Sequence, residues 1–265
     1  MKKKMIIRIF LSIALTALFI FSVNSTAAAG LFGAPQTVSK EAGGLNTAIG
    51  YWYHENIYTN DTDHIIRQNE VYSQAAYGAN NLWEIYARIG GSDLKILDVF
   101  SSTDASTTPN KNDFADNWKW FGTLGAKGFY PVNETFGIGA FIQGTYYWSN
   151  FTDDVTGTSG GKTFATDLKV KNLFDVHFGV GFQATIPCGI KLYAGPYIYY
   201  SEANVSLAAD IPGLEYAAGN VSIKNKSIAG GFVGIDMPLA KGFRLNMEGQ
   251  YSERFSAGAA VSYIY

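Results

Sequence analysis

The sequence predicts an all-β fold, a transmembrane antiparallel up-and-down β-barrel. Long segments alternate between apolar and polar residues with a period of two, which is the pattern of a strand with different surroundings on its two faces. Several of these segments exceed the usual soluble strand of about 5–6 residues and reach the roughly 9–11 needed to cross a bilayer. Mean hydropathy is only +0.01 although 15 % of the residues are aromatic, because alternation hides apolar faces from an average.

The first 29 residues have the composition of a cleaved export signal, with an uncleaved membrane anchor as the alternative. Lys2, Lys3, Lys4 and Arg8 make a basic start, an apolar run follows from Ile9 to Val23, and Ala27 to Ala29 supply small residues for cleavage. The apolar run is shorter than the about 20 residues of a spanning helix. We expect the signal over 1–29, a short periplasmic lead-in over 30–43 and the barrel over 44–265.

Charge and cysteine content exclude several functions. Four of the 20 basic residues lie in the signal, which leaves 16 against 22 acidic residues and a net charge of −6. An acidic chain without a basic stripe is a poor candidate for binding nucleic acid. The single cysteine, Cys188, excludes an internal disulfide and a cysteine metal cluster. We expect no cofactor.

The alternation is clearest between Val170 and Ser201. Even-numbered residues from Val170 to Ile186 are mostly apolar and odd-numbered ones mostly polar or small, so the even face is predicted to meet lipid. A three-residue loop at 187–189 pairs Ile186 with Ile190 and keeps the apolar faces of both strands on one side. Pro196 lacks an N–H for the ladder, so we expect a bulge there.

The same pattern predicts ten strands. Eight strands are the alternative, because the pattern supports the second strand and the last pair of strands least. The ranges of the ten strands are 45–54, 67–79, 82–91, 117–128, 135–149, 169–186, 190–201, 227–237, 243–251 and 256–265. Long connections at 55–66, 92–116, 150–168 and 202–226 alternate with short ones. Short turns are periplasmic and long loops extracellular in outer-membrane barrels. A soluble all-β sandwich of this length is the alternative architecture.

Aromatic residues collect near the long connections. They are Trp52, Trp118, Trp120, Trp148, Tyr51, Tyr53, Tyr146 and Tyr200. On the lipid side they would form the girdle found at membrane interfaces. A carbohydrate-stacking site is the functional alternative.

The polar strand faces are predicted to line the lumen with charges of both signs. The candidates are Glu84, Arg88, Lys119, Lys171, Asp175, His177, Lys191, Asp236, Arg244 and Glu248. The turn register places Asp236 near Arg244. Charges enclosed in a narrow barrel must be paired or hydrated. We therefore predict an ion-paired lumen, with a polar pathway for small solutes as the alternative.

The histidines and loop carboxylates are the candidates for catalysis and metal binding. His177 lies one pleat from Asp175, and Ser201 on the next strand would complete a general-base arrangement. No serine elbow or other specific motif supports a hydrolase, so we predict no catalytic site. Loop oxygens at Asn60–Asp63 and Asp153–Asp154 are the kind that bind calcium. Such clusters are usually solvated loop, and we predict no metal site.

Three segments carry a family resemblance. Leu82–Gly91 resembles the third-strand region of small bacterial surface barrels of the opacity-protein, OmpA-like type, and Ile190–Tyr200 looks like another strand of that group. The terminus Ala259–Tyr265, with Tyr263 and Tyr265, is similar to the assembly signal of outer-membrane barrels. The resemblance implies a Gram-negative porin-family surface protein in the cell outer membrane. Its implied partners are membrane lipid and lipopolysaccharide, the barrel-assembly machinery and periplasmic chaperones.

These observations predict a non-enzymatic surface barrel with a structural or adhesin-like role and an unidentified extracellular ligand. A narrow porin-like channel is the first alternative, which conductance would distinguish. An outer-membrane hydrolase is the second, which an activity screen with His177→Ala would distinguish.

Overall fold

Ten antiparallel strands close into a barrel in the computed structural model. The structure describes residues 32–36, 44–60, 62–80, 82–101, 104, 106–210, 217–240 and 242–265. The predicted signal over 1–29 and most of the predicted lead-in lie outside these residues. Within the described ranges, no helix is long and apolar enough to span a membrane.

The ring and three additional strands account for the regular structure of the described residues. The ring strands are β1 (Gly44–Asn60), β2 (Thr62–Asn80), β3 (Trp83–Ile96), β5 (Phe114–Pro131), β6 (Phe136–Tyr147), β8 (Lys162–Thr185), β9 (Lys191–Asp210), β11 (Ala229–Pro238), β12 (Phe243–Tyr251) and β13 (Phe255–Ile264). The additional strands are β4 (Thr107–Pro109), β7 (Phe151–Ser159) and β10 (Ala217–Asn225). The ten predicted strands are confirmed, and the eight-stranded alternative is wrong.

The first and last strands close the ring. β1 pairs with β13 from Asn46 opposite Ile264 to Tyr53 opposite Ala257. The backbone N–H of Tyr265 also donates to the carbonyl oxygen of Leu45, at 3.2 Å. Closure matters because lipid offers no hydrogen bonds to an open edge.

The turn between β8 and β9 has the predicted register. The N–H of Ile186 donates to the carbonyl of Ile190 at 2.8 Å, and Gly189 takes the left-handed conformation with φ +82°. The bulge expected at Pro196 is wrong, because the register from Phe178–Ile198 continues unchanged to Phe182–Ala194. Between Gly179–Tyr197 and Phe182–Ala194, β8 and β9 have no paired residues in the ladder. The proline is therefore accommodated by the loss of backbone hydrogen bonds and not by an extra residue.

The long connections predicted as loops contain paired strands instead. β1 and β2 stay in register up to Asn60 opposite Thr62, so the segment 55–66 is a tight hairpin. β7 pairs with the N-terminal part of β8, residues 162–170, and β10 pairs with the C-terminal part of β9, residues 202–209. β10 also pairs with β1 through Tyr58 and Asn225. Strands therefore continue the barrel wall beyond the ends of β11, β12 and β13.

An outward apolar belt surrounds the ring. It includes Ile49, Ile85, Ile89, Leu124, Ile138, Ile142, Phe178, Phe182, Ile198 and Val233, all at least 39 % exposed. Trp118, Trp120 and Trp148 also face outward, as predicted. Trp52 does not: it is fully buried, because even-numbered residues of β1 point inward. The closed ring and its belt make the protein a transmembrane β-barrel of the outer membrane.

Two register shifts reverse which residues face inward. One lies on β8 between Lys171 and Phe174, where Asn172 has φ +53°. The other lies between β3 and β5, opposite Ser92 and Leu94. Each inserted residue changes the phase of the alternation along its strand.

The β8 bulge corrects two sequence predictions. Leu168 and Val170 are 2 % and 1 % exposed, so Val170 faces inward although the alternation below the bulge predicted the lipid side. Lys171 consequently leaves the inner face, where it was predicted to line the lumen. Above the bulge, the inner face of β8 is therefore apolar rather than charged.

Phe178→Arg tests the facing of the belt. Phe178 is 47 % exposed at mid-strand, and arginine on the lipid face near the midplane costs about 2–4 kcal/mol of folding stability. We expect that loss relative to Phe178→Ala, measured by urea titration of the folded form on heat-modifiable gels. Thr158→Arg, on the exposed face of β7, should change stability by less than about 0.5 kcal/mol. Equal tolerance of arginine at both positions would contradict the assignment.

Candidate functional site: the filled lumen

The N-terminal plug, defined as residues 32–36, lies inside the barrel. Phe32 and Ala34 are 2 % and 4 % exposed. The ring of Phe32 stacks on Phe141 with centroids 3.9 Å apart and makes edge contacts with Tyr197 and Phe232 at 5.4 and 5.3 Å. The predicted periplasmic lead-in is therefore wrong for these five residues.

Glu248 holds the beginning of the plug. Its two carboxylate oxygens accept hydrogen bonds from the backbone N–H groups of Phe32 and Gly33 at 3.0 and 2.9 Å. Tyr193 and Gln250 donate to the same carboxylate at 3.0 and 2.7 Å. Because an ionised carboxylate has about four acceptor sites, neutral donors satisfy this buried group. It was predicted as a lumen ion-pair residue and instead binds backbone.

A side-chain amide holds the other end of the plug. The backbone N–H of Gln36 donates to the Oε1 of Gln183 at 3.0 Å, and the Nε2 of Gln183 donates to the Oε1 of Gln36 at 3.0 Å. Between these ends, the Nζ of Lys127 donates to the carbonyl of Ala34 at 3.3 Å. Polar contacts therefore span the plug from Phe32 to Gln36.

Two inward glycines make room for the plug. A Cβ at Gly139 would lie 2.6 Å from Pro35, and a Cβ at Gly181 would lie 2.8 Å from it. Both distances are below normal carbon contact. Glycines on the inner faces of β6 and β8 therefore leave the space that Pro35 occupies.

The charged candidates near the periplasmic turns form two groups. The Nε of Arg244 donates to Asp236 at 2.5 Å, its Nη2 also contacts that carboxylate, and Lys191 lies opposite Asp236 in register. The Nζ of Lys127 lies 3.2 Å from the carboxylate of Glu84. Lys127 was missed, although its odd number places it on the inner face of β5.

The other cationic candidates have different neighbours. The Arg88 guanidinium lies between the rings of Tyr72 and Tyr86, 4.8 and 4.9 Å from their centroids, and its Nε donates to Gln74 at 2.7 Å. Lys119 lies 3.1 Å from Asp116, near the β5 register shift. The lumen thus mixes ion pairs with amides and aromatic rings.

The predicted catalytic alternative is not assembled as a triad. The Nδ1 of His177 lies 3.0 Å from Asp175, but the direction is not that of an N–H···O hydrogen bond. Its ring stacks on Tyr199 with centroids 5.5 Å apart. The hydroxyl of Ser201 bonds instead with the Tyr58 hydroxyl and donates to the carbonyl of Phe174.

Asp153, a possible calcium ligand in the sequence, also has other partners. Asp153 accepts from Lys111 at 2.5 Å and from the backbone N–H of Ala115 at 2.8 Å. Over the described ranges, no group of three His, Cys, Asp or Glu residues is placed to hold a metal ion.

A polar layer missed by sequence reasoning lies across the barrel above the plug. His54 contacts Gln68, whose Nε2 donates to Ser92 at 3.1 Å. The Tyr147 hydroxyl donates to Glu70 at 2.6 Å. His54 was predicted as the last residue of the first strand, so a layer that depends on β1 extending beyond it was not expected.

A small cavity lies beside the plug. One cavity of about 50 Å³ lies among Phe32, Glu84, Arg88 and Asp236. Because each water needs about 10–15 Å³ of such volume, the cavity has room for a few waters. Such a space lets water reach the charges beside the plug.

The terminal aromatic residues lie at the ring closure. Tyr263 pairs with Thr47 of β1, and its ring centroid lies 4.8 Å from that of Phe243 and 4.9 Å from that of Tyr265. Their role as an assembly signal stays a prediction.

The chain is similar in structure to several solved proteins at low sequence identity. No family model and no curated protein matches the chain. The outer membrane protease OmpT of Escherichia coli is 11 % identical, with 88 % of this chain and 100 % of that chain covered and a TM-score of 0.44. The translocator domain of the autotransporter NalP of Neisseria meningitidis is 10 % identical, with 83 % and 88 % covered and a TM-score of 0.41. The toluene transporter TodX of Pseudomonas putida is 12 % identical, with 91 % and 94 % covered and a TM-score of 0.36.

Arg244→Ala tests the periplasmic ion pair. The variant leaves Asp236 buried without its guanidinium, and removing one partner of a buried pair typically costs about 3–5 kcal/mol. We expect that loss in urea unfolding. The double variant Asp236→Leu with Arg244→Met removes both charges and should recover most of the stability. Wild-type stability of Arg244→Ala would show that the pair is hydrated rather than buried.

Proposed function

We propose that this protein is a non-conducting, non-enzymatic surface barrel that anchors an extracellular β-structure in the outer membrane. The filled lumen is the observation that carries the proposal. From the periplasmic side, the interior holds the Arg244–Asp236 pair, then the plug around Phe32, then the layer of His54 and Gln68. A solute would have to displace all of them.

The extracellular extension of the barrel is a scaffold that holds exposed connections. Ion pairs hold its strands together at the edges: Lys226 with Asp63, Lys95 with Asp113 and Lys111 with Asp153, at 2.5 to 2.7 Å. The N–H of Lys226 also donates to the carbonyl of Ile57 of β1, at 2.8 Å. Exposed connections on such a scaffold are where binding residues usually lie, which supports an adhesin-like role.

The hydrolase alternative receives less support from the same geometry. A general base must reach a substrate proton directly or through one water. His177 instead has Tyr199 stacked on one side and Phe32 at 5.9 Å, inside a barrel that the plug occupies. The proposal therefore assigns His177 to packing.

Conductance in planar bilayers tests the proposal. We expect no steady conductance from the wild-type protein, and intermittent openings from Phe32→Ala, because that change removes the ring packed on Phe141, Tyr197 and Phe232. Phe136→Ala removes the same ring from an outward position, 55 % exposed, and should behave as wild type.

A large, steady, ion-selective conductance of the wild-type protein, unchanged by Phe32→Ala, would overturn the proposal and favour the channel.

A further inference from the structure

The extracellular mouth of the barrel contains a cavity that the proposed function does not use. Its volume is about 270 Å³. Its wall comes from β1, β2, β8, β9, β10 and the end of β3, so it lies above the region where β11, β12 and β13 complete the ring.

The lining is apolar and its side chains share one inner face. The apolar members are Ile96, Val99, Leu168, Val205, Leu207, Val221 and Ile223. Cross-strand register sets their common direction, since Leu168 lies opposite Leu207, which lies opposite Gly219. Asn60 and His64 add hydrogen-bonding groups, and no carboxylate, lysine or arginine is among those lining residues that the structure describes.

The cavity is closed toward the membrane. Its buried wall continues into an apolar cluster that fills the barrel below it and includes Phe114, Phe151, Val170 and Ala203, each at most 1 % exposed. The polar contact of Tyr58 with Ser201 and the layer of His54 and Gln68 follow. A molecule entering from outside therefore reaches a dead end.

The β8 bulge creates this apolar wall. Without the extra residue at Asn172, Lys169 and Lys171 would face inward and Leu168 and Val170 outward. Bulges that redirect side chains are common next to functional sites. The chain thus places leucine and valine inside a part of the barrel that lies beyond the bilayer.

We propose that the cavity binds a small, uncharged, mainly apolar molecule taken from the extracellular side. An apolar cavity of about 150 Å³ is known to hold benzene, so about 270 Å³ accommodates a bicyclic aromatic molecule. Barrel mouths are a common place for such sites, in which a few polar groups orient the ligand. Asn60 and His64 are placed to do so. The inference goes beyond the proposed function, because binding here requires no conducting lumen.

A side chain added at Gly219 can fill the cavity without moving its wall. A Cβ added to Gly219 would meet no atom within 4 Å. In Gly219→Trp the indole therefore occupies the space intended for the ligand. Gly231→Trp is the matched control, because Gly231 faces outward on β11 and its added Cβ would meet only a backbone oxygen at 3.8 Å.

The test is ¹⁹F NMR titration of 1-fluoronaphthalene, with empty micelles as reference and heat-modifiable gels to verify folding. We expect saturable binding by wild type and Gly231→Trp, weakened at least about tenfold in Gly219→Trp because the indole fills the site. Val221→Trp, with Val233→Trp as control, repeats the comparison should Gly219→Trp fail to fold.

Binding no greater than partition into empty micelles would overturn the proposal, as would equal binding by all folded variants. Tighter binding of fluoronaphthoate than of fluoronaphthalene would overturn the assigned ligand class. Conductance is a separate measurement, so failure here leaves the proposed anchor function untouched.

Discussion

A carboxylate enclosed in a narrow barrel must find hydrogen-bond donors, and Glu248 finds two of them in the backbone of Phe32 and Gly33. This contact determines where the N-terminal plug lies. With its first residues fixed there, the ring of Phe32 fills the space between Phe141, Tyr197 and Phe232. Gln183 then fixes the far end at Gln36. The carboxylate of Glu248 and the amide of Gln183 are thus bonded to the chain of the plug rather than left to water.

Above the plug and the polar layer that covers it, the inner face of β8 changes from polar to apolar, and the bulge at Asn172 causes that change. Below Asn172, the inner face of β8 carries His177 and Gln183; above it, Leu168 and Val170. Outside the bilayer the surroundings are water on every side, so an apolar interior stabilises the extension in the way that a soluble core does. The inner face of β8 is thus polar where its outer face meets lipid and apolar where its outer face meets water.

Sequence alone predicted the ring because lipid-facing alternation is a strong local signal, and the register around Gly189 followed from the turn. It missed the extension beyond the bilayer because segments such as 150–168 are rich in Ser, Thr, Gly and Asp, which are typical of loops. It misplaced Val170 and Lys171 because one extra residue inverts a period-two pattern without leaving a compositional mark. The pairing of Asp236 with Arg244 is short-range across a turn and was foreseen. The contact of Glu248 with Phe32 joins residues 216 apart and has no local signal.

The most direct test of the filled lumen is the reactivity of a thiol placed in the plug. Ala34 is 4 % exposed, and cysteine differs from alanine by one sulfur atom. In a Cys188→Ser background, Ala34→Cys should resist a small membrane-permeant thiol reagent in the folded barrel and react fully after unfolding. Thr158→Cys in the same background should react at once on intact cells. Rapid labelling of the folded Ala34→Cys protein would show that the lumen is open and would contradict the account.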